Sequence, residues 1–287
     1  MITHEQHYQN LWDNTPYYFV ERKAYSISFG KAIGQYTFRD AVINTANNIL
    51  NTHKKINFFL SGGLDSNVAL RGFILAGIKN TFIVKLIKLD NGANNFDFQT
   101  GLLTCKLYGL KYDIINVNYD YYLNKDFIRH SFPLYINCPQ YTLFLKIQKE
   151  LDNSFVNIFG LGDFDFQFNK NYQKFVLPEY EFVGRFNRYC KNFIPFFRYD
   201  PNIIRAWLSD TNFLSFIQQK DKIENWNNYK NIFYSQHFPE LLNRPKYTGI
   251  ERFKFKVRFL LDKIYPIYKE KNLIRYYSSE EYNKLIS

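Results

Sequence analysis

The sequence predicts an α/β fold, a doubly wound parallel sheet followed by a carboxyl-terminal helical lobe. Three observations predict it. Apolar runs at 56–60, 81–87, 112–117 and 155–159 alternate with stretches of helical period, the order of right-handed βαβ units whose parallel sheet is covered on both faces. The first run breaks off into Ser61-Gly62-Gly63-Leu64-Asp65-Ser66, a tight turn feeding a helix. Loops at 61–66, 88–95 and 160–165 each follow a strand, so all three gather at the carboxyl edge where such sheets bind ligands.

Taken in order, residues 1–37 are polar and aromatic, with alternation over 25–29 that reads as a hairpin extension. Phe38, Ala41, Val42, Ala46, Ile49 and Leu50 have helical spacing, and that helix feeds the strand at 56–60. Val68, Ala69, Phe73 and Ile74 predict a helix over about 66–77, ended by Gly77. A strand at 81–87 leads through 88–95 into a helix whose apolar positions are Phe98, Leu102, Leu103 and Leu107, stopped by Gly109. A strand at 112–117 follows, then a helix over about 140–151 carrying Leu143, Phe144, Ile147 and Leu151, then the strand at 155–159. From about 178 the strand signal fades, and helices are expected at 178–190, 200–208, 212–221, 229–243, 250–264 and 279–285, punctuated by Pro195, Pro201, Pro239, Pro245 and Pro266. The expected division is an extension over 1–37, a nucleotide-binding domain over 38–177 and a helical lobe over 178–287 that completes the substrate site.

The 287 residues suffice for one large or two small domains, and 46% hydrophobic content allows a sizeable core built on 30 Phe and 24 Tyr. A net charge of +11 favours anionic partners, although no block of five like charges occurs. Cys105, Cys138 and Cys190 are far apart and form no CxxC pair, which argues against a zinc ribbon and for a reducing compartment, the cytoplasm. No run of 18 apolar residues is present, so no helical membrane span is expected.

The 61–66 turn carries the chemistry. Two glycines remove Cβ atoms, so backbone amides can turn inward as a nest, and the following helix points its positive end at the same place. Ser61 and Ser66 add hydroxyls. Asp65 adds a carboxylate that would repel phosphate unless a magnesium ion or a bound water lies between them, and it is expected to gain little in the ligand-free fold. The commoner phosphate loop, G-x-x-x-x-G-K-[ST], occurs nowhere in the chain.

The string Ser61-Gly-Gly-Leu-Asp-Ser66 resembles the Ser-Gly-Gly-x-Asp-Ser loop of the PP-loop ATP pyrophosphatases, the adenine nucleotide alpha hydrolase-like group with a HUP-like fold. Within that group the chain looks most like the synthetase domain of asparagine synthetase, shared by β-lactam synthetase. Three further places occur in the family's order: Asp97-Phe-Gln, Gly160-Leu-Gly-Asp163-Phe-Asp165, and Pro195-Phe-Phe-Arg-Tyr-Asp200 followed by Arg244-Pro-Lys246. The resemblance implies ATP and Mg²⁺ as cofactors. It implies that Ser61, Gly62, Gly63, Leu64, Asp65, Ser66 and Gly160 bind the nucleotide, and that the stretch from Ile87 to Asn91, including Leu89, meets adenine through its backbone. It implies that Asp65 with one or both of Asp163 and Asp165 holds the metal, and that Lys246 and Arg244 serve the reaction. One acid of the family's second pair falls on Phe164, and Lys191 and Phe193 stand where a glutamate and an arginine are usual. Ile2, not a cysteine, follows Met1, and with only residues 1–37 ahead of the matching part the family's glutaminase domain is not expected here.

The implied reaction is adenylation of a carboxylate or carbonyl oxygen with loss of pyrophosphate, then displacement of AMP by nitrogen, an asparagine synthase-like ligation. The partners are a small-molecule acceptor and a nitrogen donor, which is free ammonia, an amine or the product of a separate glutaminase. The alternative is a PP-loop enzyme that modifies a base in transfer RNA or other nucleic acid, which the positive charge suits. A degenerate nucleotide-binding subunit is the third reading.

Overall fold

The computed structural model describes residues 36–78, 81–127, 130, 139–161, 167–169, 174–178, 192–208, 210, 226–241 and 274–277. The hairpin expected within 1–37 and the helices expected at 178–190, 212–221, 250–264 and 279–285 lie outside these residues, apart from 36–37 and Pro178, which belongs to a strand.

The described chain opens with helix α1, Phe38–Thr52. Thr37 caps it: its Oγ1 accepts from the Asp40 amide at 3.1 Å and donates to the Asp40 carboxylate at 2.6 Å, satisfying an orphan donor of the first turn. Strand β1, Lys55–Phe59, leads into helix α2, Leu64–Ala76, then strand β2, Thr81–Leu89, helix α3, Asn95–Leu107, and strand β3, Tyr112–Val117. A short turn of helix, Tyr119–Tyr121, runs into a π-helical turn, Tyr122–Asp126. Helix α4, Pro139–Glu150, precedes strand β4, Val156–Phe159.

The main sheet has five strands in the order β3-β2-β1-β4-β7, where β7 is Phe193–Pro195. Every pairing in it is parallel, the α/β class predicted. The order grows from β1 to β3 on one side and then jumps back to place β4 beside β1. The switch point therefore lies between β1 and β4.

Alternation along the strands divides the core. Ile56, Phe58 and Leu60 pack with α1 and α2, with Val84 and Leu86 of β2, and with Phe98 and Cys105 of α3. Phe59 and Phe159 point to the other face, with Tyr119, Tyr122, Leu143, Phe144 and Ile147. These two phenylalanines are register partners, stacked at 4.1 Å between centroids, as directly opposed residues on a pleated sheet must be. The burial of Cys105 pushes its thiol up to about 11, which leaves it unreactive at neutral pH.

Two expectations are corrected. Helix α3 does not bury Leu103 and Leu107, which are exposed. It buries Phe98, Thr100, Gly101, Thr104 and Cys105 instead. A Cβ at Gly101 would stand 2.9 Å from the Leu86 side chain, so the helix turns its small residues inward to approach the sheet, and close approach outweighs the burial of two leucines. The region beyond 178 is not purely helical. It supplies β7 to the main sheet and strand β8, Ile274–Tyr277, to a small antiparallel sheet with β5, Gln167–Asn169, and β6, Lys174–Pro178. The three-residue β7 is too short for a periodic signal.

Two expected helices of this region are present: α5, Pro201–Leu208, and α6, Trp226–His237, which ends before the expected 243. Helix α6 buries Tyr229, Lys230, Phe233 and Tyr234, a stripe of helical spacing. Trp207 of α5 stacks on Phe233 at 5.2 Å, and Phe38 of α1 meets Phe233 edge-on at 4.8 Å. Among the described residues no helix is long and apolar enough to cross a membrane.

Just past α6, Glu240 lies 3.2 Å from Arg39 of α1 and 3.3 Å from Arg71 of α2. Burial works to raise its pKa, but hydrogen bonds from its own amide and from Arg39, with the two guanidinium charges, outweigh burial and hold it below the usual glutamate value. A depressed carboxylate adds stability above its unfolded pKa and loses it as pH falls through its folded pKa. Glu240→Gln is therefore expected to cost about 0.5 kcal/mol at neutral pH, the scale of a part-exposed ion pair. Melting curves across pH check this: the gap from the parent should begin to shrink as pH falls past the ordinary glutamate pKa and close below the lowered pKa of the folded state.

Candidate functional site

At the switch point, β1 runs out at Phe59 and the chain turns through 61–66 into α2. The turn is held by its own atoms. Ser61 Oγ and Ser66 Oγ lie 2.9 Å apart, and Ser66 Oγ donates to the Gly63 carbonyl at 3.0 Å. Asn67 Nδ2 donates to the carbonyls of Gly62 and Gly63 at 3.1 and 2.9 Å. With both carbonyls tied back against the helix, their negative ends are withheld from an incoming anion. The first amides of α2 have no intrahelical acceptor and lie at the positive end of the helix dipole. The helix starts at Leu64, two residues earlier than expected, so Leu64 and Asp65 belong to its first turn.

Two glycines let neighbouring elements close on this turn. Gly62 has φ +78°, and a Cβ on it would stand 2.2 Å from the Asp97 carbonyl oxygen in the first turn of α3. Gly160, just after β4, lies so close to α2 that a Cβ would stand 2.5 Å from the Ser66 Cα. Two strand-end loops and the start of α3, singled out in the sequence as separate short motifs, thus meet at one point in space.

Asp65 is where the structure departs most from expectation. Its Oδ1 lies 2.8 Å and its Oδ2 3.0 Å from Nζ of Lys230, and Tyr234 donates its hydroxyl to Oδ1 at 2.7 Å. The Lys230 side chain is 5% exposed and that of Asp65 23%. The expectation that Asp65 gains little in the ligand-free fold is corrected, because it neutralises a buried ammonium. The pair also decides the fit of a metal. Both Asp65 oxygens already face an ammonium, and among the described residues no group of three or more His, Cys, Asp or Glu is placed to hold an ion. Asp65 as it stands does not fit Mg²⁺. Asp163 and Asp165, like Arg244 and Lys246, lie outside the described residues.

The backbone around Leu89 is largely engaged within its own loop. Asn94 Oδ1 accepts from the Leu89 amide at 3.0 Å, and Asn94 Nδ2 donates to the Ile87 carbonyl at 2.8 Å. The Leu89 carbonyl accepts from Gly92, and the Asp90 amide donates to Val117. An adenine ring here would meet the remaining lone pairs of the carbonyls, since both amides are used. Asp200 caps α5, with Oδ1 accepting from the Asn202 amide at 2.8 Å.

Sequence reasoning missed Lys230, Tyr234 and Asn94. A signal for the first was present: Lys230 falls on the apolar stripe of α6 beside Tyr229 and four residues before Tyr234, and a lysine on a buried face needs a partner. The partner stands 165 residues away, and nothing local names it.

Fold and site together define an α/β protein with a phosphate-type turn at the switch point of its parallel sheet. No family model matches the chain, and no curated protein matches it. Among solved structures, the chain is similar to NMN synthetase from Francisella tularensis, with 12% identity over 82% of this chain and 95% of that one and a TM-score of 0.34.

Two sets of variants test this geometry. Gly62→Ala and Gly160→Ala are each expected to destabilise by about 2–4 kcal/mol, from close contact at both sites and added φ strain at the first. Gly77→Ala, with the same φ of +78° but nothing within 4 Å of its Cβ, should cost only about 1 kcal/mol. Denaturant midpoints separate contact from strain. Asp65→Asn should cost about 1–3 kcal/mol by stranding a buried ammonium, and adding Lys230→Met should recover most of the loss in a double-mutant cycle.

Proposed function

We propose that the chain is a PP-loop ATP pyrophosphatase that adenylates a carboxylate or carbonyl oxygen and then passes ammonia or an amine to it, an AMP-forming carbon–nitrogen ligase of the asparagine synthase-like kind. The observation that carries this reading is the 61–66 turn itself, with its serine hydroxyls paired, its carbonyls tied back and a helix start behind it, at the sheet's switch point.

The chemistry asks little covalent work of the protein. The acceptor oxygen attacks the α-phosphorus, the bond to the β-phosphate oxygen breaks, and negative charge builds on departing pyrophosphate. Donors already in place at that oxygen lower the barrier without rearrangement. Here they are the amides at the start of α2; the Ser61 and Ser66 hydroxyls, paired in the ligand-free turn, add to them by turning toward the leaving group. The mixed anhydride with AMP then loses AMP to the nitrogen nucleophile. Arg244 and Lys246 are proposed to offset charge on the adenylate.

Phosphorus NMR of the products, with ATP, Mg²⁺, a panel of carboxylates and ammonium or amines, is expected to show AMP and pyrophosphate. Ser61→Ala, which removes one donor to the leaving group, should lower kcat/KM by about tenfold or more. ADP and orthophosphate as the only products would overturn the reading.

A further inference from the structure

Resting on that reading, we propose that Lys230 is the built-in counter-ion of Asp65: a positioning residue whose ammonium neutralises the turn's carboxylate, so that the 61–66 turn accepts phosphate without a metal ion on Asp65.

A carboxylate in the first turn of α2 stands at the place where pyrophosphate must leave, and two like charges there oppose binding. Something positive must hold that carboxylate. The structure supplies an ammonium within 3.0 Å of both oxygens, together with the Tyr234 hydroxyl. The arrangement is poorly explained by stability. Replacing a buried ion pair with apolar side chains of similar size is often neutral or stabilising, and α6 is already anchored by Phe233 and Tyr234 against Trp207 and Phe38. A leucine or methionine at 230 would dock the helix as well. A lysine there serves the carboxylate. The partner helix comes from the far side of the sequence, so the turn is electrostatically complete only when α6 is seated. Of the two side chains Asp65 is the more exposed, so Lys230 acts through Asp65 and not by reaching the phosphate itself.

The test is calorimetric titration of inorganic pyrophosphate into the full chain in excess EDTA, with thermal melting of every preparation. The parent should bind. Lys230→Met takes the ammonium from Asp65, leaves its charge uncompensated by Lys230 and should bind at least tenfold more weakly. Adding Asp65→Asn to Lys230→Met removes that charge and should restore affinity to within about threefold of the parent. Lys230→Arg should stay near the parent. A double variant as weak as Lys230→Met would overturn the proposal in favour of direct lysine–phosphate contact. So would a Lys230→Met variant that binds like the parent, which would leave the pair a structural one. If Lys230→Met alone melts below the assay temperature, the double variant, whose pair is removed as a unit, still decides the case: parent-like affinity is expected, and a tenfold loss overturns. A parent that binds pyrophosphate only when Mg²⁺ is present overturns the metal-free role but leaves the ATP-dependent reading intact. A parent that binds neither pyrophosphate nor ATP, with or without Mg²⁺, overturns both.

Discussion

The site depends on how closely three backbone segments approach one another. The end of β1, the end of β4 and the first turn of α3 meet around the 61–66 turn with almost nothing between them. Gly62 faces a carbonyl of α3, and Gly160 faces the Cα of Ser66, each at a distance no Cβ would tolerate. A parallel sheet brings strand ends to one edge by its hydrogen-bonding direction alone. It does not bring them into backbone contact. Glycine at two positions does, and the helix amides, hydroxyls and strand-end loops share one small volume as a result.

Electrostatics closes the same volume from the other side. The turn places a carboxylate at a helix start, favourable for the dipole but unfavourable for an anionic ligand. Helix α6 answers with Lys230 and Tyr234, delivered on an aromatic face that packs against α1 and α5. Packing and charge are therefore coupled: the rings that seat α6 also set the position of the ammonium. Arg39, Arg71 and Glu240 fasten the end of the same region to α1 and α2.

Much of this was legible in the sequence, and the parts that were not share a cause. The strands at 56–60, 81–87, 112–117 and 155–159 and the helices between them are local patterns, and the structure reproduces them within a few residues. The burial of α3 was misread because hydrophobicity ranks Leu103 and Leu107 above Gly101 and Thr104, whereas a helix lying tight against a sheet needs small side chains at the contact. Strand β7 is only three residues long and owes its place to pairing with β4, a partner that no window of sequence contains.

The sequence by itself determined the class of fold and the turn, because both are written in short-range terms: a period of burial, a break at two glycines, a hydroxyl at each end. Only the tertiary structure decided what the turn's carboxylate faces. Asp65 and Lys230 are 165 residues apart, and a charge on one helix acquires its partner only when packing of the apolar faces around it brings the two within contact distance. Coulomb attraction between them is strong in a buried setting and negligible in the unfolded chain, so that pairing is a product of the fold: the stripe around Lys230 shows that a partner is needed, and nothing local names it.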